Sequence, residues 1–162
     1  MQVRIRSTGQ VMYESEFRAL FPNTSMPQQL SETLINELGA DVVFEGPQAT
    51  GGTVYQYSQA AGVEQINGKW YTKYILGPVF IDQVVDGVTT TAAEQENAYK
   101  AQKDAEQAKN VRATRDSKLA ETDWRFRSDM NPSQDWKDYC QALRDVPSQE
   151  GFPWNVVWPT QP

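Results

Sequence analysis

The chain contains no histidine and a single cysteine, Cys140. Without histidine there is no Ser-His or Cys-His couple to activate a nucleophile, and one thiol cannot close a disulfide within the chain. Zinc and iron centres built on His and Cys draw on about three or four protein ligands, so they are excluded as well. Neither a glycine-rich phosphate loop nor a paired acidic motif is present; Gly51-Gly52 stand alone between polar residues, as in a turn. No apolar run approaches the ~20 residues that span a bilayer. The first ten residues carry charge but lack the apolar segment of a secretory signal. These absences lead to the expectation of a non-enzymatic protein with no catalytic residues, no metal ligands, no cofactor and no membrane span.

Charge narrows the class further. Fifteen basic residues stand against 21 acidic ones, a net charge of −6. The basic residues are dispersed and the sign is wrong for a polyanion, so nucleic acid is not an expected partner. With 162 residues the chain has room for one ordinary domain or two small ones.

Composition divides it into three segments. Residues 1–86 hold most of the glycine and the β-branched side chains. Residues 2–6 alternate, with Val3 and Ile5 on one face of a strand, and residues 15–20 suit a helical turn with Phe17 and Leu20 inward. A helix is expected from Pro27 or Gln28 to Leu38, with Leu30, Leu34, Ile35 and Leu38 as its apolar stripe and Gly39 as its stop. Residues 41–44 read as a strand. Asn67-Gly68 sits between two strand-like runs, 63–66 and 69–76, and both residues accept positive φ, so a tight hairpin is expected there. On its second strand Trp70, Thr72 and Tyr74 share one face, Tyr71, Lys73 and Ile75 the other. Gly77-Pro78 interrupts that strand, and pairing is expected to resume over 79–81. This segment reads as a small α+β domain.

Residues 87–122 form a linker and a helix of about thirty residues, opened by Thr91 with Glu94 three positions later, a capping box. From Thr90 to Thr122 there is no proline or glycine, and Tyr99, Val111 and Leu119 are the only large apolar side chains. Ala98, Ala101, Ala105 and Ala108 make a narrow small-residue seam. Such a helix is either a solvated connector or packs along another subunit.

Residues 123–162 are dense in aromatics; four of the five tryptophans (124, 136, 154 and 158) fall here. Asn131-Pro132 is expected to start a helix with proline at its first position, and Trp136, Tyr139, Cys140 and Leu143 then share one apolar face. Pro147 ends it, and an extended tail follows over residues 151–159. Two roles compete for the aromatics: a small core in which Trp124 and the tail fold back over the 136–143 face, or exposed anchors for a partner. Cys140, on the apolar stripe, reads as a core residue.

Three ordered runs in this segment carry a resemblance: Arg115-Asp116-Ser117-Lys118-Leu119-Ala120-Glu121-Thr122-Asp123-Trp124, then Trp136-Lys137-Asp138-Tyr139-Cys140-Gln141-Ala142-Leu143-Arg144-Asp145, then Phe152-Pro153-Trp154-Asn155-Val156-Val157-Trp158-Pro159. Together they resemble the C-terminal module of the phage tail assembly chaperone family, over about the last fifty residues. Cys140 stands where that family carries arginine, and residues 125–130 are more basic than its usual linker. The resemblance implies a bacteriophage protein that binds a tail-fibre or baseplate protein, with Phe152, Trp154, Trp158, Trp136, Tyr139 and Trp124 as partner-binding candidates. It also implies assembly in the host cytoplasm, and homo-oligomers or copy numbers that match tail symmetry. Retention in the virion and departure as a transient chaperone are both open. A third reading, a carbohydrate-binding module, rests on Trp70, Tyr71 and Tyr74 as a second surface.

Overall fold

A computed structural model describes residues 1–162. Helices and strands are both present, the mixed α+β class expected from the sequence. The chain divides into two compact units, Met1–Val79 and Phe80–Pro162, so the long helix and the aromatic segment lie in one unit.

In the first unit β1 (Gln2–Ile5) turns back into β2 (Val11–Tyr13), which runs directly into α1 (Glu14–Ala19). Then come α2 (Glu32–Glu37), β3 (Ala40–Phe44), β4 (Tyr57–Ile66) and β5 (Lys69–Gly77). The strands form one sheet in the order β2-β1-β3-β5-β4, antiparallel throughout except for the β3–β5 pair. Alternation along the strands decides which residues meet the helices. Val3, Ile5, Ala40 and Val42 pack against Phe17, Leu30 and Ile35, and this is the core of the unit. The paired registers put Gln2, Arg4, Asp41, Val43 and Trp70 on the opposite face, with Thr72 and Tyr74 following Trp70 on β5. Asn67 and Gly68 take φ of 51° and 79° between β4 and β5, the tight hairpin turn expected there.

Several expectations are corrected. The helix expected from residue 27 or 28 begins at Glu32, because the Ser31 side chain accepts the Leu34 N–H at 3.2 Å and caps it there. Leu30 is still buried, but from the extended segment before the cap. Phe17 is inward as expected, whereas Leu20, one residue past α1, is exposed. Residues 79–81 do not resume pairing, since Pro78 has no N–H to continue the ladder. Two elements were not anticipated: β2, and a hairpin of β6 (Gln83–Val85) and β7 (Val88–Thr90). Asp86-Gly87, with φ of 51° and 77°, turns that hairpin, so its sequence signal was the Asp-Gly pair.

The second unit opens with this hairpin and continues into α3 (Ala92–Ala120), 29 residues or about 43 Å. The capping box forms as expected: Thr91 Oγ1 accepts the Glu94 N–H at 3.2 Å, and the Glu94 carboxylate accepts the Thr91 N–H at 2.8 Å. A single 3-10 turn at 123–126 leads to α4 (Gln134–Asp145), which starts after Ser133 rather than at Pro132. Another 3-10 turn, Val146–Ser148, follows. The tail is extended only from residue 156 onward; residues 150–155 coil into successive turns. A Cβ on Gly151 would lie 2.2 Å from the Asn155 carbonyl oxygen, so only glycine lets that turn close.

Two outcomes test this packing. Phe17→Ala empties the centre of the first unit, where Phe17 is wholly buried. It is expected to lower unfolding free energy by about 3–5 kcal/mol in denaturant titration; a loss below about 1 kcal/mol would contradict the core described. Hydrogen bonds from the Thr91 backbone and side chain hold the Glu94 carboxyl below its ordinary pKa. Its contribution is therefore present above the ordinary carboxylate range and is lost as pH falls through the lowered value. Helix content followed by circular dichroism should show an acid loss in the native chain that is smaller in Glu94→Gln.

Candidate functional site

The second unit is held by a stripe on α4. Tyr139, Cys140 and Leu143 are buried, with Trp136, Leu119 and Trp158 packed against them. Burial raises the Tyr139 phenol above its ordinary pKa, and the Glu121 charge adds to this. Thr122, also buried, donates its hydroxyl to the Leu119 carbonyl at 2.7 Å and lies 3.3 Å from Cys140 Sγ. Cys140 is thus enclosed, as its place on the apolar stripe implied.

The tail lies against α3. The Trp154 indole N–H donates to Asp104 at 2.6 Å. Gln107 reaches the Pro153 carbonyl at 3.5 Å, and the Arg112 guanidinium stands 5.3 Å from the Phe152 ring centre. Within the span marked by these contacts, Ala108 and Val111 are the buried residues of α3. Further along, Gln149 clamps Val157 twice, accepting its N–H and donating to its carbonyl, both at 2.8 Å. The Lys118 ammonium sits 5.7 Å from the Trp158 ring centre. Tyr139 is therefore buried, and Phe152, Trp154 and Trp158 are half-buried by contacts within the unit.

Trp124 is 46 % exposed, and Phe126 and Met130 are 41 % and 42 % exposed beside it in sequence. Arg125 organises this stretch: its guanidinium carbon lies 3.8 Å from the Trp136 ring centre and 4.3 Å from that of Trp124. Two such contacts contribute roughly 0.5–1 kcal/mol each at exposed sites and hold both indoles in place. Trp136 also meets Tyr139 edge-on at 5.8 Å, which anchors the group to the core. Beside it Arg125, Met130, Asn131, Pro132, Ser133 and Trp136 line a hollow of about 240 Å³. Trp, Arg and Met are the residue types that interface cores favour. Phe126 and Met130 were not among the candidates named from sequence. The signal was the alternation Trp124-Arg125-Phe126-Arg127, an aromatic–basic run within an otherwise dispersed charge pattern.

The second surface falls in the first unit. Trp70 and Tyr74 share one face of β5, with Arg4 stacked 4.0 Å from the Trp70 ring centre. Tyr71 lies on the other face, where it meets Phe44 at 5.6 Å. The Tyr74 hydroxyl donates to Glu45, and that bond raises the phenol pKa. These three aromatics therefore do not form one platform.

The C-terminal region is thus a helical module with a closed aromatic core and an open aromatic–guanidinium patch. Residues 108–162 match the family described as phage tail assembly chaperone protein. The match begins at Ala108, the first residue of α3 that is buried. It takes in all three runs singled out from the sequence and connects this region of the chain to phage tail assembly. The first unit, the β6–β7 hairpin and the first half of α3 lie outside it. No curated protein and no solved structure matches the chain.

The Trp154–Asp104 bond gives a direct test of the tail's role. Trp154→Phe keeps the ring and removes the donor, and is expected to cost about 1 kcal/mol in thermal unfolding. An unchanged melting temperature would mean that the tail does not brace α3.

Proposed function

We propose that this chain binds a tail-fibre or baseplate protein non-covalently through the patch formed by Trp124, Arg125, Phe126, Met130 and Trp136, and stays in the tail as a structural component. The observation that carries the proposal is an arginine stacked on two indoles, with Trp124 exposed and Met130 lining the same hollow, and with exposed Phe126 next to it in sequence. Trp124 and Phe126 are more exposed than the other aromatics of the module, which are half-buried or buried in its own packing. The indoles stacked on Arg125 are pre-ordered, which lowers the entropy lost on docking. The family match supports tail assembly as the setting, hence synthesis in the host cytoplasm. No helix is long and apolar enough to cross a membrane. The role needs no catalysis, in keeping with a sequence that has no histidine and one enclosed cysteine.

A second reading, a chaperone that leaves after assembly, is favoured by the family's own description. Quantitative mass spectrometry of gradient-purified particles separates the two. A fixed number of copies per virion supports a structural component, and a value near zero supports departure.

The binding surface itself is tested by co-purification from infected cells followed by titration against the captured tail protein. Trp124→Ala and Phe126→Ala are expected to weaken binding by about 2 kcal/mol each, roughly thirtyfold. Both side chains are partly exposed, so melting should shift little. Undiminished affinity in both variants would sink the assignment.

A further inference from the structure

The face of the first unit's sheet that α1 and α2 leave uncovered is concave and carries an open hollow of about 590 Å³. It draws on every strand: Tyr13 from the end of β2, Gln2 from β1, Val43 from β3, Thr72 and Tyr74 from β5, and Val63 from β4. Five strands at about 4.8 Å spacing make it roughly 19 Å across, perpendicular to the chain direction. A chain lying across the strands cannot pair with their backbones, which already bond to one another within the sheet. Recognition there falls to side chains.

Those side chains are of a particular kind. Val43 and Val63 give an apolar floor, and Tyr13 and Tyr74 supply aromatic rings. Tyr13 is well exposed. Its polar groups include an amide from Gln2, a hydroxyl from Thr72, the amino terminus at Met1 and the Glu45 carboxylate, which the Tyr74 hydroxyl fixes in place. Neither lysine nor arginine lines the hollow. Its charged groups are one carboxylate, Glu45, and the α-ammonium of Met1, which also lines it, so the hollow holds no surplus of counter-charge for a phosphate, sulfate or carboxylate ligand. What fits is a neutral molecule with apolar C–H faces and many hydroxyls. The faces can stack on tyrosine and valine, and the hydroxyls can donate to Glu45 and exchange hydrogen bonds with Gln2 and Thr72. We infer that the hollow between Tyr13 and Tyr74 is a binding site for a short neutral oligosaccharide.

The inference is independent of the aromatic patch in the second unit, and the test keeps the two apart. The full chain is screened on an array of neutral and acidic glycans, and the neutral ligands it retains are titrated by calorimetry. Tyr13→Ala is expected to weaken binding about tenfold or more. Its backbone N–H, which Glu16 accepts at 2.7 Å, remains in place, so the start of α1 should persist. Gln2→Ala, on the same face, should weaken it as well, which guards against a folding defect in the first variant. Trp124→Ala should leave sugar binding unchanged while weakening the tail-protein interaction. Retention of acidic glycans alone, no retained glycan at millimolar concentration, or binding indifferent to both Tyr13→Ala and Gln2→Ala would overturn the site.

Discussion

The indole N–H of Trp154 meets Asp104 across fifty residues of chain, and the second unit depends on what that contact represents. A helix as polar as α3 has almost nothing of its own to bury: its inward-facing residues on this stretch are Ala108 and Val111. Such a surface becomes interior only when larger groups are laid over it from elsewhere. The tail does this with Phe152, Pro153 and Trp154, and Trp158 reaches the α4 stripe. Hydrophobic area that α3 lacks is thus provided by aromatic residues at the other end of the unit. The Gln149–Val157 clamp and the Gly151 turn set the path by which they arrive.

That arrangement explains why the aromatics separate into two populations. Tail tryptophans have a helix to cover, and they cover it. Trp124 and Phe126 sit on a one-turn connection and their rings stay partly in water; that of Trp124 is ordered by Arg125, which also stacks on Trp136. A surface of this sort is stable because the cation is shared between two rings, and it stays available because nothing in the unit covers it. The family match starts at Ala108, the first buried residue of α3, just after the first contacts between this helix and the tail. Helix, stripe, tail and patch therefore form one packing unit, which reaches back along α3 as far as Asp104.

The first unit obeys a different constraint. Two short helices can cover only one side of a five-stranded sheet, and alternation places Val3, Ile5, Ala40 and Val42 on that side. The other side keeps a mixture of tyrosine, valine, amide and carboxylate, and the curl of the sheet makes it concave. Gly46, two residues past β3, lets the chain pass close to β5: a Cβ there would lie 2.0 Å from the Thr72 carbonyl oxygen.

What the sequence determined by itself was local. The Thr91–Glu94 capping box, the Asn67-Gly68 turn, the apolar stripe of α4 and the alternation of β1 all rest on neighbours within a few residues. Periodicity and side-chain chemistry therefore reveal them. The Asp86-Gly87 turn is local in the same way, whereas the start of α2 turned on a competition that Ser31 won. Tertiary structure alone decided which tryptophans are interior, because burial depends on what lies opposite, and Asp104 lies fifty residues from Trp154. It alone also brought Tyr13, Gln2, Glu45 and Tyr74 around one hollow, since strand order is set by long-range pairing that no local pattern encodes.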